Sequence, residues 1–249
     1  VLVVTGTDTG VGKTVVTAAV AALARTRGAS VAVVKPAQTG VRPGLPADLD
    51  EIRRLAGITD LHEFARYSSA LAPAAAARIA GLPPLDLAHA AGRIRELGRD
   101  LVIVEGAGGL LVRYDEDGAT LADLAHELGA PVVLTVRPGL GTLNHTALTL
   151  EVMAARGIEL AGIVIGAWPR RPGLDDLCNV RDLETIAARP LAGVLPERSG
   201  RLYGPEFLLA AQSGLAPHLG GTFDPAVFRE HCHTRAQTYG ELIPREEEP

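Results

Sequence analysis

Short runs of consecutive apolar residues alternate along the chain with longer stretches in which apolar residues return every third or fourth position. The runs are VLVVT (1–5), VAVVK (31–35), LVIVE (101–105), VVLTV (132–136), AGIVIG (161–166) and LAGV (191–194). They lack the apolar–polar alternation of a half-exposed strand, which predicts strands buried on both faces, as in a parallel sheet. Helices are predicted over 13–27, 48–57, 86–98, 121–129, 141–157, 174–189 and 205–213. Gly28, Gly57, Gly129 and Gly157 stand where a left-handed residue ends a helix. Strand alternating with helix implies right-handed crossovers, hence a single α/β domain over 1–249 with a doubly wound, mainly parallel sheet. The last residues, Glu241 followed by LIPREEEP, are expected to fray as an acidic tail.

Composition narrows the class. Apolar residues make up 47% of the 249 and aromatics only 4%, so the core is expected to be built from Ala, Val, Leu and Ile. A net charge of −5 gives no electrostatic reason to expect nucleic acid as a partner. The two cysteines, Cys178 and Cys232, have neither metal nor disulfide-framework spacing, which suits a reduced, cytoplasmic protein. No apolar run reaches membrane-spanning length, and the chain enters its first strand at once, so neither a membrane segment nor a signal peptide is expected.

In open parallel sheets ligands sit beyond the carboxyl ends of the strands, so the residues that follow each run are the candidates. TGTDTGVGKT (5–14) follows the first. The strict phosphate loop is G-x-x-x-x-G-K-S/T. Gly12, Lys13 and Thr14 supply its end, but its first glycine would fall on Thr7, with Gly6 one position early. The context of strand, loop and helix is that of a phosphate site: backbone N–H groups from Gly10 to Thr14 around phosphate, Lys13 on the β- and γ-phosphates, Thr14 on Mg²⁺. The plain alternative is a Gly/Thr-rich turn capping a helix. Lys35 ends the second strand, where its charge can stabilise a phosphoryl group or a carbamate, although strand-end lysines are commonly just solvated. Thr39 offers a hydroxyl in the loop that follows. Asp48 fits the N-cap of the helix at 48–57, or a metal site if a second carboxylate joins it. Glu105, directly after four apolar residues and before Gly106, Ala107 and Gly108, offers that second carboxylate, since the strand beside a phosphate loop often delivers an acid to Mg²⁺; the plain alternative is a strand terminus followed by a flexible turn. Gly141, Thr142, Leu143 and Asn144 open the helix at 141–157, a possible anion site, with Thr142 and Asn144 equally suited to plain capping. His145 fits the helix surface or packing better than catalysis. Gly166, Ala167 and Trp168 lie at a late strand end, where Trp168 fits simple packing. HExxH, paired CxxC, GxSxG, GxGxxG and NKxD signatures are absent.

TGTDTGVGKT (5–14), KPAQTG (35–40), VEGAGGLLV (104–112), LGTLNHT (140–146) and LAGIVI (160–165) together resemble the dethiobiotin synthetase family, whose opening reads TGTDTxVGKT. The early glycine is that family's own loop variant. The resemblance covers residues 1 to about 197 and is weaker over 198–249. It implies a homodimeric, Mg²⁺-dependent enzyme of biotin synthesis acting on 7,8-diaminononanoate, CO₂ (or bicarbonate) and a nucleoside triphosphate. One amine takes CO₂ as a carbamate, the carbamate attacks the γ-phosphate to give a carbamic–phosphoric anhydride, and the second amine closes the ring and expels phosphate. By resemblance, Lys13, Lys35 and Thr9 serve catalysis, and Thr14, Asp48 and Glu105 hold Mg²⁺. Gly10, Val11, Gly12, Val15, Gly106, Ala107, Gly108, Gly166, Ala167, Leu195, Pro196 and Glu197 join them around the nucleotide. Thr39 serves the substrate, and Gly141–Asn144 of the partner subunit its carboxylate. Two departures stand out. Some relatives have Glu where Gly10 stands, and adenine-reading relatives have Asn-Asp where Gly166-Ala167 stand, so ATP or another triphosphate such as CTP fits. A MinD/ParA-like regulatory ATPase shares the wider fold, but its loop carries a lysine where this chain has Asp8. A cobyrinic acid synthetase would need a further glutaminase domain, and a non-catalytic nucleotide-binding module is the remaining alternative.

Overall fold

In the computed structural model, which describes residues 1–42 and 44–242, each apolar run is closed off on both sides. Neighbouring residues of β1 (Leu2–Gly6) show how: Val3 packs into one core cluster and Val4 into another, on opposite faces of the sheet. Around β1 stand β2 (Val31–Thr39), β3 (Leu61–Tyr67), β4 (Leu101–Gly109), β5 (Val132–Val136), β6 (Leu160–Trp168) and β7 (Gly193–Pro196). Among the described residues they form one parallel sheet in the order β3-β2-β4-β1-β5-β6-β7. The doubly wound, single-domain α/β fold is therefore as the sequence pattern requires.

Two strands run four residues beyond their apolar runs, through Lys35 to Thr39 and through Glu105 to Gly109. Lys35 and Glu105 therefore lie within strands rather than at their ends. The extra pairing goes to different neighbours. β2 and β4 stay paired only as far as Val34 and Val104; β2 then continues along β3, and β4 rejoins β1 at Gly109. The sheet parts between Lys35 and Glu105.

The helices are α1 (Lys13–Thr26), α2 (Asp48–Ala56), α3 (Pro73–Ala80), α4 (Leu87–Arg95), α5 (Leu121–Leu128), α6 (Thr142–Ala155), α7 (Leu174–Ala187), α8 (Gly204–Gly214) and α9 (Pro225–Leu242). Gly57 and Gly129 end α2 and α5 in the left-handed conformation. Three expectations change. The N-cap of α2 is Ala47, and Asp48 is its first helical residue; Asp50 closes the cap by accepting the Ala47 N–H at 2.9 Å, which leaves the Asp48 carboxylate available for other work. At α6 the N-cap is Gly141 (φ 84), and neither Thr142 nor Asn144 caps it. Helices α3 and α9 and strand β3 were not expected. Residues 198–242 close the same domain: Phe207 of α8 is buried in the cluster with α1 and α2, while Phe228 and Ala236 of α9 pack with α7. Of the expected acidic tail, residues 243–249 lie outside the described residues.

Candidate active site

The loop after β1 explains its own spelling. A Cβ on Gly6 would sit 2.5 Å from the Val11 side chain, so the early glycine is where the loop folds back on itself. Thr7, where the strict pattern has glycine, instead extends the pairing with β5 through its N–H to the Thr135 carbonyl, 3.0 Å. Gly12 (φ 101) caps α1 and lies against the end of β6: its Cβ would meet the Gly166 oxygen at 2.8 Å, and a Cβ on Gly166 would meet the Val11 oxygen at 2.1 Å. Gly166 is thus a packing glycine beneath the loop, and a side chain there displaces it. Gly10 is left-handed (φ 74) with open space where its Cβ would be.

Beyond the loop, four side chains meet where the sheet parts. The Lys35 ammonium lies 2.6 Å from Asp48 Oδ2 and 2.8 Å from Glu105 Oε1, and donates to the Gly106 carbonyl at 3.1 Å. Thr14 Oγ1 donates to the same Glu105 Oε1 at 2.9 Å. Glu105 and Lys35 are both buried. Burial alone would lower the Lys35 pKa, but the charges of Glu105 and Asp48 outweigh it and hold the ammonium above its ordinary range. Lys13 differs. Burial, then the positive charge of Lys35, pull its pKa down to about 8, and the side chain donates to the Asp8 carbonyl at 2.8 Å. Two lysines in one pocket, one strongly paired and one short of negative charge, make a site that gains by taking up an anion.

These groups line a cavity of about 440 Å³ together with Thr9, Gly10, Gly12, Val15 and Thr39. Ala107 and Gly108 complete its wall, and Gly108 (φ 68) faces the Thr9 hydroxyl. Gly106 packs beneath, its Cβ position taken by Leu121. Oxygen ligands suit Mg²⁺, and the donors present are of that kind: the Thr14 hydroxyl, the half-exposed Asp48 carboxylate and Glu105 Oε2, which is buried and has no hydrogen-bond partner. The residues fit that ion.

Other expected residues lie apart. Glu197 borders a second cavity of about 630 Å³ with Pro169, Arg170 and Arg171, and its N–H donates to the Trp168 carbonyl at 2.7 Å. Leu195 is buried, so only its backbone can meet a ligand, whereas Pro196 and Ala167 are exposed. Gly141–Asn144 lie outside the first cavity, at the start of α6. His145 is exposed, and Trp168 packs edge-on against Phe228, centroids 5.0 Å apart. Gln38 was missed. It is buried at the cavity wall, and its Oε1 accepts the Asp48 N–H at 3.2 Å. A polar residue continuing a strand three positions after Lys35 was the signal. Arg137 was also missed; it holds the phosphate loop from outside through the Asp8 carboxylate, 2.9 Å, and the Thr9 carbonyl, 3.1 Å.

Residues 1–200 match the family model described as an AAA domain. The chain is 61% identical to the ATP-dependent dethiobiotin synthetase BioD of Parafrankia sp., covering 92% of this chain and 97% of that one. With the protein of the same name from Frankia casuarinae it shares 61% over 94% and 99%, and with that of Rhodococcus jostii 55% over 86% and 93%. Among solved structures, the septum site-determining protein MinD of Pyrococcus horikoshii, complexed with Mg-ADP, superposes with a TM-score of 0.51 at 16% identity, covering 98% of this chain and 99% of that one. The Pyrococcus furiosus cell division ATPase MinD gives 0.51 at 16% over 97% and 99%. At these identities the structures speak for the fold alone.

The paired charges give a stability test. Lys35→Met leaves Glu105 buried without its cation and is expected to cost about 3–5 kcal/mol in urea unfolding. Adding Glu105→Gln should return about 1–3 kcal/mol of that loss as a coupling energy; strictly additive losses would show that the two side chains do not act as a pair.

Proposed function

The chain belongs to the dethiobiotin synthetase family, and from that premise we propose that it is an ATP-driven cyclo-ligase that closes 7,8-diaminononanoate and CO₂ into dethiobiotin, in the cytoplasm. The observation that carries the reading is the Lys35 ammonium held between Asp48 and Glu105 beside the phosphate loop. A carbamate is a poor electrophile until it is phosphorylated, so the site must hold two anions against each other long enough for one to attack the other. Lys13 binds the β- and γ-phosphates as the backbone N–H groups of Gly10 to Val15 surround them. Lys35 brings its charge to the oxygens that pass between carbamate and γ-phosphate; its three N–H groups donate to Asp48, Glu105 and the Gly106 carbonyl, and a bond to those oxygens exchanges one of the three. The Thr9 and Thr39 hydroxyls, both on the cavity wall, orient the carbamate. Thr14, Asp48 and Glu105 would hold Mg²⁺, which when bound would neutralise charge on the phosphates. The carbamate oxygen bonds to the γ-phosphorus as ADP leaves. The second amine then attacks the carbamoyl carbon, phosphate departs with that oxygen, and the amine proton goes to water or phosphate.

Phosphate release should require diamine, bicarbonate, Mg²⁺ and ATP together. Lys13→Ala and Lys35→Ala should each lower kcat by about 10²–10³-fold, the loss typical of a preorganised charge at a developing anion. Turnover of ATP without diamine, or a near-normal Lys35→Ala enzyme, would contradict the proposal.

The substrate carboxylate is assigned to the N-terminus of α6 from a second subunit, which makes the active unit a homodimer. Support comes from the surface around that helix. Leu140, Leu148 and Leu111 are 86%, 55% and 45% exposed, and Leu148 and Leu111 flank an apolar groove of about 520 Å³ that reaches Gly6–Asp8. Exposed apolar area of this kind marks association. Activity per subunit should fall on dilution in step with dissociation seen by sedimentation; full activity from a monomer would refute the assignment.

The base is assigned to the second cavity, by Pro196 and Glu197. Gly166 has no room for a side chain and Ala167 offers a methyl group, so neither supplies the amide that reads adenine. ATP should therefore be favoured over CTP, GTP or UTP by no more than about tenfold, or about 1.4 kcal/mol, with CTP a candidate for equal or tighter binding. Fluorescence titration of Trp168 gives the four affinities; a hundredfold preference for ATP would show that another residue reads adenine.

A further inference from the structure

One guanidinium joins two parts of the molecule that the proposed nucleotide site needs in register. Arg54 lies on α2, six residues after Asp48 and so about 9 Å further along the helix. Its Nε and Nη2 donate to Glu51 Oε2 at 3.0 and 2.5 Å, which sets the fork on the helix surface. Its Nη1 then donates across to the Leu202 carbonyl at 2.9 Å, and Nη2 to the Gly200 carbonyl. Its face covers the Tyr203 ring, 4.7 Å from the centroid. The side chain is 27% exposed, well below the 55% of its neighbour Arg53, which pairs with Asp50 alone.

The segment that Arg54 grips runs from a residue that lines one cavity to a residue packed against the lining of the other. On one side Glu197 lines the 630 Å³ cavity and donates its N–H to Trp168. On the other, Gly200 lies over the first turn of α1, its Cβ position 3.2 Å from Val15 Cγ2, and Val15 lines the 440 Å³ cavity. Between them Arg198 is left-handed (φ 66), a conformation that a residue with a Cβ keeps only where its surroundings hold it. The Ser199 hydroxyl bond to the Pro196 carbonyl, 2.7 Å, and the two Arg54 bonds are those surroundings.

We propose that Arg54 is a positioning residue for the nucleotide: it ties the 197–202 segment to the helix that carries Asp48, so that the phosphate cavity and the base cavity stay in register for one nucleotide. The proposal rests on the nucleotide reading above and adds to it a residue that touches neither ligand. Lysine cannot replace Arg54, because a point charge cannot bond two carbonyls and a carboxylate in one plane while stacking on a ring.

The test is ATP affinity by Trp168 fluorescence, together with the KM for each substrate and the melting temperature. Arg54→Lys should weaken ATP binding about tenfold or more, as expected for two lost charge-assisted bonds, while the KM for the diamine stays within about twofold. Tyr203→Leu, which removes the stacking alone, should show a smaller loss in the same direction, and Arg53→Ala none. If Arg54→Lys lowers the melting temperature but leaves ATP affinity unchanged, or raises both KM values equally, the side chain only stabilises the fold and the proposal is wrong. If the wild-type chain binds no ATP, the functional reading itself fails; wild-type binding with an indifferent Arg54→Lys overturns the positioning role alone.

Discussion

A fully buried ammonium between two carboxylates is the constraint on which the rest of the structure turns. Lys35 and Glu105 sit on strands that are paired up to the preceding residues, Val34 and Val104, and then part. Had β2 and β4 stayed paired, the cleft would be closed by sheet. Because they part, a cavity opens at the carboxyl edge, with charge at its floor. Removing such charges from water is costly, and buried ion pairs are weak devices for stability. Their retention here fits chemistry better than folding: Asp48, reached from a different helix, and Thr14, from the phosphate loop, converge on the same small volume.

Crowding around the loop turns that volume into a defined site. Gly6 against Val11 and Gly12 against Gly166 leave no space for a Cβ, so the loop is clamped between its own strand and the end of β6. Arg137 holds it from outside through Asp8. The same Asp8 offers its carbonyl to Lys13, so the lysine with the lowered pKa is presented from a fixed backbone. Under the proposed reaction, base, phosphate and carbamate fall to three separate edges of this frame: the β6–β7 end, the loop, and the gap between β2 and β4.

How far this was legible depends on whether a residue acts locally or through the tertiary structure. The phosphate loop, Lys35 and Glu105 stood out because chemistry followed directly on apolar runs. The six strands buried on both faces were visible for the same reason. Strand β3, LHEFARY, was not: it is an edge strand, half-buried and carrying charges, with no apolar run. Helix α3 carries local signals, Pro73 at its start, a run of alanines and Gly81 at its end, but no amphipathic period long enough to stand out. Helix α9 is largely polar, and its few packing residues have meaning only beside α7. Asp48 lies beside Lys35 in the cavity but does not cap its helix, since the cap came from Asp50. Gln38 had a signal only in its place three positions after Lys35 on the same strand, whereas Arg54 and Arg137 act across about 148 and about 129 positions of chain, and no spacing pattern could announce them.

In the proposed reaction carbamate and γ-phosphate meet at Lys35, and oxygen passes from one to the other. The most direct test of that transfer is a single-turnover reaction with C¹⁸O₂, freshly supplied so that exchange with water is slight, followed by mass analysis of the released phosphate. If the carbamate oxygen attacks the γ-phosphorus, each phosphate carries one ¹⁸O from CO₂. Phosphate free of label, with dethiobiotin formed, would mean that the nucleotide is cleaved by water and that the geometry around Lys35 serves some other step.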